Sequence, residues 1–425
     1  MATTTLIHPD QIVVTRRALL EGLQKMQGWW PRGMPRVAFS NAGAGPAGDV
    51  LVCVFLRGGA DGLNIIVPYG DATYHTLRPT IGLSRPDDSK GNAQTRVIDL
   101  DGFFGLHPAL MPIAPIISNQ HLTAIHATGS PDPTRSHFDA MDYMERGVPG
   151  NNTFSSGWLG RHLASLDTGN PSPLRGIGWG DTIQDSLHGF INVVALNSIV
   201  NYHLQGRDGT NQDMAAALAA LYAVDGSGLR DVAARTQATI DLLAKLDVAN
   251  YQPTNGAQYD ANDDFAQALK QTAALIKMQM GLEVAAIDLG GWDLHEKEAP
   301  DLTIALTRLA NGLAAFYTDL DTAINRVTVV VMSEFGRRAQ ENASLGTDHG
   351  HGNMMLVMGG HVAAKPVIAQ WPGLTDDKLD DGDLAITTDY RDVLAEIVAL
   401  RLRNPHLDAI FPNHTPKLPG AVTGN

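Results

Sequence analysis

Residues 50–64 read VLVCVFLRGGADGLN, an unbroken apolar run followed by an arginine, a glycine pair and Asp61. A strand covered on one face alternates apolar with polar residues. A near-continuous, β-branched run is what a parallel strand covered on both faces needs. The glycines behind it let the backbone turn tightly and approach a ligand. In an open parallel sheet, ligands sit at the carboxyl ends of the strands. The stretch therefore predicts a buried strand over 50–56 that delivers Arg57 and Asp61 to a sheet edge.

Working outward, runs of the same kind occur at 122–126, 190–195, 284–288, 327–332 and 354–358, all expected as buried parallel strands. Helix-period segments lie between them. Over 301–320, Leu302, Leu306, Leu309, Leu313, Phe316 and Leu320 form one stripe, and Asp301 after Pro300 is the expected cap. Over 264–280, Phe265, Leu269, Ile276 and Met280 share a face. This alternation predicts a doubly wound α/β core. Residues 150–262 read differently. NNTFSSGW, TGNPSPLRG and YQPTNGAQYDANDD are turn-rich and flank helical pieces at 214–224 and 229–246. They are expected to form an inserted cap, with Trp158, Trp179 and Tyr202 serving either packing or a pocket.

The bulk properties narrow the function. A chain of 425 residues exceeds the usual size of a single core, which suits one large α/β domain over 49–425 with an insertion. With 45 acidic against 31 basic residues and a net charge of −14, it lacks the basic footprint of a nucleic-acid binder. No apolar window reaches the length of a membrane span. The single cysteine, Cys53, lies inside the first apolar run, where it reads as an inert core thiol. At the N-terminus, TRRALL (15–20) resembles a twin-arginine signal and Ala42-Gly43-Ala44 a cleavage site. Residues 1–48 are thus expected to be a signal or an exposed arm. The first makes the protein periplasmic or exported, the second cytoplasmic.

Polar residues cluster after four of the expected strands. Besides Arg57 and Asp61 these are Thr134, Arg135 and Ser136 in SPDPTRSHFD, then Asp293 and His295 in GGWDLH. The last group is Glu334 in SEFGR with Asp348, His349 and His351 in TDHGHG. Carboxylates with imidazoles suit zinc or manganese, and carboxylates alone suit magnesium or calcium. A single Asp-x-His is weak, but four such loops at one sheet edge predict a site for one or two divalent ions. Ser136, three residues before Asp139, also reads as a helix cap. A hydroxyl at a helix N-terminus lies where an anion is stabilised, and beside a metal it becomes a nucleophile. Arg135 or Arg57 would clamp the oxygens of a phosphoryl or sulfuryl group.

Seven stretches carry a family resemblance: VFLRGGADGLNIIVPYGD, GFFGLHPAL, PTRSHFDAMDYMERG, SGWLGRHL, LGGWDLHEKE, VVVMSEFGRRAQEN and GTDHGHGNMMLVMGG. In these the sequence resembles the bacterial DUF1501 family, a branch of the alkaline phosphatase and sulfatase superfamily. The resemblance implies an alkaline-phosphatase-like α/β fold: a central, mostly parallel sheet with helices on both faces and an inserted cap. It implies a bimetal centre with Asp61 on one ion and Asp293 with His295 on the other. Glu334 stands where an aspartate is usual, and His349 or His351 resembles the last histidine ligand. Ser136 matches the nucleophile best, and Thr134 second.

Two departures qualify this. Phe335 follows Glu334 where the superfamily has a histidine, so a one-metal site stays open. Pro131 stands where a sulfatase needs the Cys or Ser that is oxidised to formylglycine, which closes that route. The leading expectation is a metal-dependent hydrolase of a phosphate or sulfate ester on a small molecule or glycan, with Ser136 as nucleophile. The alternatives are a metal-activated water acting on another ester, amide or glycan bond, and a non-catalytic exported metal-binding protein.

Overall fold

The structure is a computed structural model that describes residues 48–190, 192–200 and 250–424, with isolated positions between 202 and 248. The expected signal and its cleavage site lie outside the described residues, as do nearly all of 214–224 and much of 229–246. The strands and helices that build the sheet belong to one compact unit, Ser40–His203 with Leu242–Asn425.

Its strands in chain order are β1 (Val50–Arg57), β2 (Ile66–Val67), β3 (Ile98–Asp99), β4 (Gly105–Leu106), β5 (Leu122–Gly129) and β6 (Gly176–Trp179). Further along come β7 (Val193–Leu196), β8 (Val284–Gly290), β9 (Val327–Ser333), β10 (Asn353–Gly359), β11 (Val367–Ile368) and β12 (Thr388–Asp389). Nine of them make one sheet, ordered β11-β5-β10-β9-β1-β8-β6-β7 with β12 also on β5, while β2, β4 and β3 form a small antiparallel sheet. Within the large sheet every pairing is parallel except the two made by β10. The run at 354–358, expected as a parallel strand, is therefore antiparallel. Full burial on both faces gives either direction the same apolar sequence, so the run itself carries no orientation.

The sheet is covered on both faces, as the alternation along β1 requires. Val50, Val52, Val54 and Leu56 pack with Phe265, Leu269, Leu306, Leu309, Leu313 and Phe316. These belong to helices α2 (Asp264–Lys277) and α3 (Glu298–Leu320). Leu51, Cys53 and Phe55 pack with Met144, Leu159, Val393 and Leu394 on the other side. Met144 lies on α1 (His137–Arg146) and the last two on α4 (Tyr390–Glu396). The stripe over 301–320 is the buried face of α3, but the helix begins at Glu298, with Lys297 rather than Asp301 at the cap. Proline lacks an N–H that the first turn would leave unpaired anyway, so Pro300 fits inside that turn instead of preceding it.

Part of the span expected as a cap, 150–262, joins the sheet instead. Trp158–Ser165 is a helix with Trp158, Leu159 and Leu163 in the core, and β6 and β7 extend the sheet beyond β8. Trp179 is a core residue whose indole N–H donates to Thr272 at 2.9 Å. Among the described residues no helix is long and apolar enough to cross a membrane.

Candidate metal centre

The sheet register brings the candidate loops to one level. Leu56 pairs with Ser333 and Arg57 with Gly290, so β9, β1 and β8, neighbours in the sheet, release their loops side by side. β5 ends at Gly129 on the same edge. Because β10 runs the opposite way, its start at Asn353 lies beside Thr128 of β5. The reversed strand thus draws Thr347–Gly352 to the edge where the parallel strands end.

At that edge one atom each from His137, Asp293 and His349 lies within 4.8 Å of the others, a grouping that can hold a metal ion. His137 Nε2 is 3.4 Å and His349 Nε2 3.1 Å from Asp293 Oδ1. His295 adjoins them, its Nε2 at 2.9 Å from Asp293 Oδ1 and 3.0 Å from His349 Nε2. Donors about 2.1 Å from a tetrahedral ion stand roughly 3.4 Å apart, so these spacings fit a first coordination shell.

Each imidazole's outer nitrogen decides what its inner nitrogen offers. His137 Nδ1 is 2.8 Å from Glu334 Oε1, and His349 Nδ1 is 2.9 Å from the carbonyl oxygen of Arg135. A carboxylate and a carbonyl only accept, so both Nδ1 atoms carry hydrogen, which leaves each Nε2 as the nitrogen that would turn its lone pair to an ion. His137 Nε2 is buried and has no hydrogen-bond partner. Phe335 backs both rings, with centroids 4.8 Å from His137 and 4.9 Å from His349.

The electrostatics follow from these contacts. Burial raises the Asp293 carboxyl, but hydrogen bonds from Arg337 and His349 and nearby positive charge outweigh it, holding Asp293 well below the usual carboxylate range. The bond to Glu334 raises His137, whereas burial lowers His349. Burial would also raise Glu334, yet the His137 bond and neighbouring N–H groups bring it down.

The glycines of the opening stretch are explained here. Gly58 and Gly59 have φ of 123° and 65°. A Cβ at Gly58 would stand 2.6 Å from the Asp293 nitrogen, and one at Gly59 would stand 2.5 Å from the Phe335 ring. No side chain fits between this loop and the site. Arg337, 1% exposed, ties the loops together. It donates to Gly59 O at 2.5 Å, Gly58 O at 2.5 Å, Thr347 O at 3.1 Å, Trp292 O at 3.0 Å and Asp293 Oδ1 at 2.8 Å.

Of the residues expected at the site, Asp293, His295 and His349 come together. Glu334 is one shell out, on His137, on Gly58 N at 2.8 Å and on Ser333 Oγ at 2.9 Å. Asp61 points elsewhere, both of its oxygens held by the buried guanidinium of Arg78. His351 Nε2 lies 2.8 Å from Ser130 O and 3.2 Å from Asp132 O, fixing that loop instead of facing the cluster. Asp348 accepts from Asn342 at 3.1 Å and sits 3.6 Å from His295 Nδ1.

The two arginines expected as clamps are already paired. Arg57 meets Glu145 and Asp288, and Arg135 meets Asp381 and Asp383. Ser136 caps α1, accepting loosely from Asp139 N at 3.5 Å, and Thr134 Oγ1 accepts from Ser136 N at 3.2 Å. His137 was missed by sequence reasoning, which read its segment as a capping motif. The available signal was its place as the first residue of a helix directly behind a post-strand loop.

Compared with curated proteins, the chain matches none. Among solved structures it is similar to the C-terminal periplasmic domain of EcEptC from Escherichia coli, with 10% identity, a TM-score of 0.38 and coverage of 92% of this chain and 94% of that one. It is also similar to the lipoteichoic acid synthase LtaP from Listeria monocytogenes, with 9% identity, a TM-score of 0.32 and coverage of 86% and 79%. A protein in the alkaline phosphatase superfamily from Vibrio parahaemolyticus matches with 10% identity, a TM-score of 0.31 and coverage of 79% and 69%. Each likeness is remote. The sequence pattern of the family described as "Protein of unknown function (DUF1501)", in contrast, matches residues 49–405, most of the chain, and the chain belongs to that family.

Proposed function

We propose that the chain is a metal-dependent hydrolase of a phosphate or sulfate ester, with His137, Asp293 and His349 holding the ion and His295 beside them. The observation that carries the metal reading is the buried, unpartnered Nε2 of His137, aimed at Asp293 and kept as an acceptor by Glu334. Two imidazoles with one carboxylate suit zinc or manganese better than magnesium or calcium, which prefer oxygen ligands. When bound, such an ion polarises an ester oxygen and stabilises charge on attacking and leaving atoms.

Ser136 is the proposed nucleophile. It precedes His137 at the N-terminus of α1, where backbone N–H groups favour an anion. Its hydroxyl would attack phosphorus or sulfur as the alcohol leaves, and water would then free the enzyme. The ester-hydrolase part rests on the family resemblance together with this placement. TRRALL keeps an exported location within the proposal.

The test is twofold. Elemental analysis of the purified chain should find a transition metal that His137→Ala loses. Ser136→Ala should then keep the metal but lose turnover of aryl phosphate and sulfate esters. Full turnover in Ser136→Ala would remove Ser136 from the mechanism and leave a directly activated water as the nucleophile.

A further inference from the structure

We infer that this centre holds one ion and not a pair, because two buried arginines already use up what a second ion would need. The inference rests on the metal reading above and goes beyond it in fixing the stoichiometry.

The family resemblance would give a second ion its ligands from Asp61 and Glu334, or from His351. None is available. Asp61, 2% exposed, gives both oxygens to Arg78, which is itself 1% exposed and further donates to Ala339 O at 2.9 Å and Arg338 O at 2.8 Å. Glu334 spends Oε1 on Gly58 N and His137 Nδ1, and Oε2 on Ser333 Oγ. His351 holds Nε2 against the carbonyls of Ser130 and Asp132, which only accept, and its Nδ1 lies 3.4 Å from Asp380 Oδ2, so both nitrogens are engaged away from the cluster.

Charge points the same way. The Arg337 guanidinium stands 2.8 Å from Asp293 Oδ1, the oxygen shared by the cluster, and its Nη1 is 3.4 Å from His295 Nε2. Paired catalytic metals sit about 4 Å apart and share such a bridging carboxylate. Here the oxygen that faces the cluster already accepts from a fixed guanidinium. Arg337 is also held by Gly58, Gly59, Trp292 and Thr347, so it cannot swing aside without releasing the loops that form the site. A second dication would meet a buried like charge with neither Asp61 nor Glu334 free to offset it. The fold supplies an internal guanidinium beside the shared oxygen.

The deciding measurement is a metal count on the full chain. The protein is saturated with zinc, and separately with manganese, freed of loose ions by gel filtration, and analysed for metal per chain. The expected result is one ion, lost in His137→Ala and retained in Asp61→Asn, with a manganese resonance spectrum of an isolated ion. Two ions per chain, or the spectrum of a coupled pair, would overturn the inference while leaving the metal reading intact. So would loss of the ion from a folded Asp61→Asn. No ion in the unaltered chain would sink the metal reading itself. Should Asp61→Asn fail to fold, the count on the unaltered chain decides alone.

Discussion

For the individual side chains, the site depends on which nitrogen of each histidine is already spoken for. Glu334 does not touch the proposed ion, yet it fixes the His137 tautomer through Nδ1. Glu334→Gln, which presents an amide in place of a pure acceptor, should weaken zinc binding by roughly 10–100-fold. Competition against a chelating dye would read that change, and an unchanged affinity would refute the orienting role. The same logic explains what was legible in the sequence. Asp293 and His295 were recognisable in a short glycine-rich loop behind a strand, and His349 in a glycine-rich run just before one. Asp61 has the same local signature but is consumed by Arg78, a residue in a different loop, and nothing within GGADG reveals that pairing. His137 was hidden for the converse reason. Its neighbours Ser136 and Asp139 satisfy a helix-capping pattern, and the segment's chemistry was assigned to Ser136 and Arg135, so no ligand was sought in His137. Gly59 is the strictest position in this group, since Phe335 fills the space a methyl would need. Gly59→Ala, with its positive φ as well, should lose metal affinity along with stability, and a full-affinity variant would show that the loop yields.

Among the strands and helices, burial on both faces made the strands readable and kept their directions unreadable. The six runs now seen as β1, β5, β7, β8, β9 and β10 were all apparent, and only the antiparallel course of β10 was not. The GIGW segment of β6 gave no signal, since its two glycines break the apolar run, although it is fully buried between β7 and β8. Helices were marked by stripes and bounded less well. α2 starts where its stripe starts because Asp263 caps it, accepting from Phe265 N at 2.9 Å and Ala266 N at 3.4 Å. Asp263 also meets Arg308 of α3 at 2.8 Å, so one carboxylate joins the two helices that cover a sheet face. Asp263→Ala should cost about 1 kcal/mol or somewhat more in unfolding free energy. The sign of its pH dependence is fixed. Burial raises this carboxyl, but Arg308 and the cap bonds bring it below its ordinary value. Its contribution is therefore present above the unfolded aspartate range and is lost as pH falls through the lower folded value. Denaturation of the two forms should differ at neutral pH and converge in acid. A difference that grows in acid would contradict the assignment.

Across the molecule as a whole, side-chain bonds join the distant segments that meet at the site. His137 follows β5, Asp293 follows β8 and His349 precedes β10, so the proposed ion cross-links three parts of the chain that are far apart in sequence. Arg337 ties two of the same loops and the post-β1 loop from beneath, through bonds that exist without any ion. The two devices make different demands on stability. Removing Arg337 takes the partner from the half-exposed Asp293 and leaves the carbonyls of Gly58, Gly59 and Trp292 without their donor, so Arg337→Ala should be destabilising by roughly 1–3 kcal/mol whether or not metal is present. The ion, by contrast, binds only the assembled site and should stabilise by mass action, about 2.7 kcal/mol at a free concentration a hundred times its dissociation constant. Thermal unfolding of the unaltered chain should therefore shift upward with added zinc and return on chelation. In His137→Ala the melting temperature should no longer respond to zinc. Since Arg337 holds the loops from inside, the chelated protein should still unfold as a cooperative whole. A chain that loses its fold on chelation would mean that the ion, and not the guanidinium, assembles the edge of the sheet.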